Sequence, residues 1–436
     1  MENITTPTSQ QITRDLLPQK FGKRGMIWTG ALILIALIGA YAYYRQLRYG
    51  LIVTNMRDYV SWGIYISNFV FFVAISLVGS LITAIMRLAN VKWATPLTRI
   101  SEIIAVSAIV FASIIIVVDM GRPERFLNLV IHGRLQSPII WDVIVIGTYF
   151  FISCLLLYFP LLPDLKILIN FKEKTGKALN RLYRFQGSFW KGTKAQFHLS
   201  NRAINILCIA IVPVAFSIHT VTSWLFATTY RPGWDSTNFG AYFISGAFLV
   251  GAGAVVVAMY VFRRYYHLEK YITEKHFEKM GRVVVLLALL YLYFNINEYL
   301  VPAFKMKKPE EVHLTQLFTG EYAPLFWFAI LVGMIIPIII LLFKKGRRPL
   351  PVFIAGIMVV VGAWFKRYLI VTPTLLHPFL PMHDVPEGYH HYFPSWEEWA
   401  IAMGSLAGAL LVITFFARIY PIIPIHETII EHETAE

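Results

Sequence analysis

Ten stretches of predominantly apolar residues, at 27–45, 61–86, 101–119, 139–161, 203–227, 240–262, 283–303, 324–343, 351–372 and 397–417, constrain this chain more than any other feature. A helix needs roughly 20 apolar residues to cross the hydrocarbon core of a bilayer. Inside that core every backbone N–H and C=O must be paired within the protein, which leaves helices or closed barrels as solutions. Continuous apolar runs of this length select helices. The sequence therefore predicts an all-α polytopic membrane protein of about ten transmembrane helices. Its 57% hydrophobic and 15% charged content over 436 residues agrees with that reading. The ninth run is unusual, because Lys366 and Arg367 interrupt it.

An even number of spans puts both termini on one side. More than two thirds of the 39 Lys and Arg residues fall on that side, so the positive-inside rule makes it cytoplasmic; the expected location is the bacterial inner membrane. The polar N-terminus, 1–25, ends in Lys20-Phe-Gly-Lys23-Arg24, and no small-residue cleavage site follows the first run, so that run is expected to stay as an anchor. The net charge of +14 is spread over loops between apolar runs, which argues against nucleic acid and for lipid headgroups as the partner. The longest cytoplasmic connection, 162–202, carries Lys172, Lys174, Lys177, Arg181, Arg184, Lys191 and Lys194 interleaved with Tyr183, Phe185 and Trp190. That pattern suits a segment lying on anionic headgroups, or the docking of a cytoplasmic partner.

Two runs open alike: Trp62-Gly-Ile-Tyr65-Ile-Ser67 and Phe239-Gly-Ala-Tyr242-Phe-Ile-Ser245. They lie four spans apart, which preserves direction and fits two four-helix bundles in parallel repeat plus two extra helices. The expected division is a first span with its outer loop at 26–60, one bundle at 61–227, a second at 228–372, and an outer loop, tenth span and tail at 373–436. The outer loops 228–238, 305–322 and 372–396 are rich in Pro, His and aromatic residues, including His377, His383, His390 and His391, and form a candidate partner surface.

Charge concentrates between the third and fourth runs, in Asp119-Met-Gly-Arg-Pro-Glu-Arg125 and Ser137-Pro-Ile-Ile-Trp-Asp142. One reading is a set of solvated interfacial ion pairs. The other is a protonatable pocket in which Asp119 and Asp142 accept protons from a bound redox molecule, with Arg122 holding a carboxylate ionised. His219, in the stripe Ser217-Ile-His-Thr-Val-Thr-Ser223, suits either a helix-to-helix hydrogen bond or a proton relay. Glu298, near the outer end of the seventh run, either pairs with Lys366 or Arg367 or serves as a port on a proton path with them. Asn68, beside Tyr65, is a candidate ligand or helix-to-helix hydrogen bonder. The two cysteines, Cys154 and Cys208, cannot build a cluster site, and there is neither a Cys-x-x-Cys-His nor a facing pair of membrane histidines for haem, so no metal site is expected. Phosphate loops, His-Glu-x-x-His and nucleophile elbows are also missing.

The two charged motifs, the His219 stripe, Arg231-Pro-Gly-Trp234, Ile66-Ser-Asn-Phe-Val-Phe71 and Gly79-Ser-Leu-Ile82 together resemble the polysulfide reductase NrfD family. The likeness is to its ten-span branch, which includes the quinol-oxidising subunit of alternative complex III and subunits of menaquinone-linked complexes. This resemblance implies two four-helix bundles and a quinone site near the outer surface, with menaquinone preferred over ubiquinone. It implies no haem or iron–sulfur cluster in the chain itself. It also implies a docked iron–sulfur, ferredoxin-like subunit on the outer face, with multihaem cytochrome c or molybdenum-enzyme subunits beyond it. In that branch a histidine and an aspartate form the proposed quinol pair. Asp142 matches the aspartate, whereas Asp119 stands at the histidine position and Ser76 stands where histidine is usual. The site residues carried forward are Asp119, Asp142 and His219 for proton chemistry, Arg122, Asn68, Tyr65 and Trp141 around the quinone, and Glu298, Lys366 and Arg367 for a second polar path. The rival class is an ion-coupled secondary transporter, for which ten spans and membrane carboxylates also serve.

Overall fold

The computed structural model describes residues 7–19, 22–170, 177–380 and 383–433. Among these residues there are ten helices long and apolar enough to cross a membrane, and no β-strand. Spans 1 to 10 are Lys23–Tyr49, Ile64–Leu88, Thr95–Asp119, Pro138–Tyr158, Lys194–Ala227, Phe239–Tyr265, Glu274–Lys305, Ala323–Leu342, Pro349–Leu376 and Trp396–Ile419. Each expected apolar run falls on one of them. The protein is thus a multi-pass, all-α membrane protein. We call the side holding the two ends of the chain the terminal face and the opposite side the distal face; the first short helix, Pro7–Leu16, touches the last, Ile425–Glu433.

Helix ends depart from the apolar runs where polar capping extends them. Span 5 begins at Lys194 because Thr193 caps it: the Thr193 hydroxyl accepts from Gln196 N at 3.2 Å, while Gln196 Oε1 accepts from the backbone N–H groups of Lys191, at 2.8 Å, and Gly192, at 3.0 Å. The stretch 162–202, expected as a connection, is therefore mostly helical, with Leu161–Asn170 and Lys177–Gln186 ahead of the long span 5. Tyr183 and Trp190 turn inward there and are buried, and Phe185 and Phe189 point outward at 78% and 84% exposure. That is the distribution of a helix resting on a surface it can wet with aromatic side chains. Lys20, Lys172 and Lys174 lie outside the described residues.

Span 2 is the pivot of the bundle. In its apolar window 78% of residues are buried, against 28% in spans 1 and 7, and it touches spans 3, 5, 6, 9 and 10. Small residues permit that crowding: a Cβ on Gly79 would stand 2.1 Å from the Ser101 carbonyl of span 3, and one on Gly251 of span 6 would stand 2.3 Å from Val78 Cβ. Spans 2 to 5 touch in a ring, as do spans 6 to 9, and spans 2, 5 and 6 join the rings. Spans 1 and 10 cross outside them where Gly39 faces Gly404.

Span 8 contains one π-helical turn, Leu331–Ile335. Pro337 follows, and it has no N–H to give the carbonyl four residues back, so the ladder must widen there. The same turn brings Gly333 against Gly362 of span 9.

At the terminal face one buried ion pair ties four segments. Arg99 Nη1 lies 2.6 Å from Asp164 Oδ2 and donates also to Pro421 O, while Arg99 Nη2 donates to Pro160 O. The Asp164 carboxylate in turn accepts the backbone N–H groups of Ile425 and His426, which open the last helix. With both side chains nearly inaccessible, removing one partner strands the other, a loss of about 3–5 kcal/mol.

Two substitutions test this packing by thermal unfolding of the purified protein. Gly362→Val would put a side chain 2.3 Å from Gly333 Cα, and overpacking of this kind costs about 1–3 kcal/mol, so the unfolding midpoint should fall. Gly388→Ala, where a Cβ meets nothing within 4 Å, should leave it unchanged.

Candidate functional site

The distal loop between spans 3 and 4 is built to end one helix sharply and start the next. Gly121 takes φ +67 after Asp119, a conformation that disfavours other residues, and any Cβ there would also strike Leu51. Ser137 then adopts an extended conformation and Pro138 begins span 4, where its missing N–H costs nothing. Trp141 Nε1 donates to Leu135 O at 2.5 Å and so fastens the loop rather than facing the helix bundle. Arg122 and Arg125 are exposed, and among the described residues neither forms an ion pair with a carboxylate.

The two aspartates have different neighbours. Asp142 is 3% exposed and meets span 5, where Thr222 Oγ1 lies 2.7 Å from its Oδ1. The same hydroxyl lies 2.7 Å from Ile218 O. A hydroxyl carries one hydrogen, so it can satisfy only one of these acceptors as a donor. Both contacts become hydrogen bonds when Asp142 carries a proton and gives it to Thr222. Asp119 instead ends span 3 with its Oδ1 buried and unpaired. Next to it, Gln46 of span 1 donates to Val118 O at 2.8 Å and accepts the Tyr65 hydroxyl at 2.8 Å. Tyr65 therefore orders the surroundings of Asp119, joining spans 1, 2 and 3.

Glu398 of span 10, which sequence reasoning passed over, is fully buried near this group. It accepts from Asn55 N at 2.8 Å, Ser395 N at 2.9 Å and the Tyr392 hydroxyl at 2.5 Å, and Tyr392 accepts from Ile64 N at the start of span 2. Its lone pairs are taken up by the fold, so it holds the distal loops in place. The sequence signal was present in Ser395-Trp-Glu-Glu398, a capping box.

His219 lies fully buried in span 5, one turn below Thr222, and neither ring nitrogen makes a hydrogen bond of normal geometry. Its ring lies 6.3 Å from that of Phe243, which also carries Arg367, with the guanidinium carbon 4.4 Å from the ring centroid. Arg367 Nη2 donates to Phe243 O at 3.2 Å and Nη1 has no partner. Asn68 accepts from Trp364 Nε1 at 2.6 Å and leaves its Nδ2 unpaired. Spans 4, 5, 6 and 9 thus gather a carboxyl, an imidazole and a guanidinium with spare hydrogen-bonding capacity.

Glu298, Lys366 and Arg367 form no mutual ion pair within 4 Å. Glu298 oxygens lie 2.8 and 2.7 Å from Ser236 Oγ and accept from Asn238 Nδ2 at 3.2 Å. Lys366 donates to the Tyr299 hydroxyl at 2.5 Å and sits 4.5 Å from the Tyr299 ring and 4.8 Å from the Phe326 ring, an aromatic cage for its ammonium.

Known proteins share this sequence pattern over most of its length. The family model described as polysulphide reductase, NrfD, matches residues 52–378, well over half of the chain. A putative membrane subunit of dimethyl sulfoxide reductase from Halobacterium salinarum is 26% identical over 359 residues, covering 80% of this chain and 78% of that protein. A selenate reductase subunit from Mesobacillus selenatarsenatis is 23% identical over 401 residues, with 89% of this chain and 92% of that protein covered. The integral membrane subunit of menaquinone reductase from Nitratidesulfovibrio vulgaris is 23% identical over 410 residues, with 92% of each covered. Among the described residues, no group of three or more His, Cys, Asp and Glu side chains is placed to hold a metal ion.

Thr222→Val keeps the shape of the side chain but removes the partner of Asp142. Leaving a buried polar group unsatisfied costs about 1–3 kcal/mol, so the unfolding midpoint should drop, and Thr222→Ser should restore most of it.

Proposed function

Because this chain belongs to the NrfD polysulphide reductase family, we propose that it is the quinone-binding membrane subunit of a respiratory oxidoreductase complex. It exchanges electrons between the membrane quinone pool and an iron–sulfur subunit docked on the distal face. Multihaem cytochrome c or molybdenum-enzyme subunits complete the electron path, and the similarity to a menaquinone reductase subunit favours menaquinone. The basic residues of the terminal face favour a cytoplasmic side for it.

The observation that carries this reading is the set of buried polar atoms without a hydrogen bond of normal geometry: Asp119 Oδ1, both His219 nitrogens and Asn68 Nδ2. Unpaired groups of this kind cost free energy in an apolar interior, and a ligand with carbonyl and hydroxyl oxygens supplies what they lack. A bound quinone provides the two-electron, two-proton redox chemistry. The work of this chain is then to bind the ring, orient it and handle protons. Asp142 is the proton acceptor, oriented by Thr222. His219 binds a ring oxygen, Asn68 donates a second hydrogen bond, and Tyr65 orders the Asp119 side. Arg122 and Trp141 shape the distal opening. Glu298, Lys366 and Arg367 form a second polar path, through which turnover moves charge across the membrane.

Binding of a quinone-analogue inhibitor to the purified complex tests the assignment. Asp142→Asn should lower quinone-linked turnover at least tenfold, and His219→Leu should weaken the inhibitor about tenfold, the worth of one hydrogen bond of about 1.4 kcal/mol. Turnover and inhibitor affinity unchanged in both variants would contradict the site.

A further inference from the structure

A second set of polar groups, away from the Asp142 site, lines a small, partly open cavity under the distal face. Its volume is about 30 Å³, and its wall includes Glu298 of span 7, Tyr242 of span 6, and Glu310 and His313 of the short helix Lys308–Phe318. A space of that size holds about one or two waters. Two polar atoms of its lining are buried and have no hydrogen-bond partner: Glu310 Oε2 and His313 Nδ1. Glu310 and His313 are each only 6% exposed. Gly233 keeps the space open at φ +87, and the neighbouring Trp234 locks the loop by donating to Ile370 O at 2.8 Å.

The cavity joins two different environments. On its inner side Glu298 lies beside Tyr299, which bonds Lys366. On its outer side the other oxygen of Glu310 lies 3.8 Å from Lys307 Nζ, and Lys307 reaches solvent at 54% exposure. A polar cavity with unpaired donors and acceptors is where buried water is found, because each water there satisfies several groups at once.

We propose that this cavity holds ordered water that links the carboxyl of Glu298 to Glu310, and through it to solution at the distal face, as a proton-exchange site. The inference rests on the reading of Glu298 and Lys366 as a second polar path. In the release direction, the Glu298 carboxyl gives its proton to the water, and the water gives one of its own to the Glu310 carboxylate. The water is regenerated unchanged, and Glu310 loses the proton to solvent beside Lys307. Uptake is the reverse. The charged and titratable groups facing this route are Asp235 near Glu298, Lys366 behind Tyr299, and His377, whose ring centroid is 5.8 Å from that of His313. Burial, the His377 ring and Lys366 together push His313 down to about 3, so its imidazole stays neutral and serves as a hydrogen-bonding wall for the water rather than a charge.

Infrared spectroscopy of the purified complex in lipid nanodiscs tests this route. The carboxyl band lost in Glu298→Gln identifies Glu298, and its shift after the buffer is changed to heavy water reports the exchange rate. The wild-type band should shift within the mixing time. Glu310→Leu, which removes the acceptor and fills the cavity, should slow the shift at least tenfold, and the near-isosteric Glu310→Gln should slow it as well. Equal rates in wild type and both variants would overturn the proposal, as would the absence of any protonated Glu298 band across the working pH range. Inhibitor binding measured on the same samples separates this outcome from that of the quinone site: loss of binding in the wild-type complex would sink the quinone reading alone.

Discussion

A polar side chain placed within a bilayer has no water to fall back on, so it must be paired by the protein or kept for a ligand. That constraint divides the ionisable groups of this chain into two kinds. Arg99, Asp164 and Glu398 are buried and bound by several partners, each holding segments that are distant in sequence. His219, Arg367 and Glu310 are buried and Asp119 is half-buried, each with a buried atom left unpaired. The first kind builds the scaffold at the terminal face and in the distal loops. The second kind collects around spans 3, 5 and 9 and the distal cavity.

Span 2 makes this division possible. Because it is buried on nearly all sides, its polar residues Tyr65, Asn68, Ser76 and Ser80 reach spans 1, 9 and 4. Ser80 meets Ser153 of span 4 at 2.9 Å, and the Tyr149 hydroxyl donates to Ser76 O. Asp142, Tyr149 and Ser153 follow one another on the buried face of span 4, so hydrogen-bonding groups line the helix inward from the Asp142 end.

Much of this was legible in the sequence, for reasons that can be named. Runs of apolar residues set the ten spans because the bilayer fixes their length, and charges inside those runs stand out against them. Asp142, His219, Lys366 and Arg367 were visible in that way. What sequence spacing could not give was partnership. Arg99 finds Asp164 and then Pro421, and Glu398 finds Asn55, across hundreds of residues in two of the three contacts. The expected pairing of Glu298 with Lys366 or Arg367 gave way to Ser236 and Asn238, whose short side chains at the head of span 6 reach it first. Glu310 and His313 lay in a loop whose folding into a helix under span 9 no periodicity announced. Membership of the NrfD family supplies the chemical context, and the unpaired atoms support the proposed location.

The central claim is that the quinone ring lies between spans 4 and 5, near Asp142 and His219. Photolabelling of the membrane complex with an azido-quinone, followed by mass identification of the labelled peptides, addresses it most directly. The label should fall within 138–158 and 194–227 and be displaced by unlabelled quinone. Displaceable label confined to other spans, with none on these two, would contradict the account.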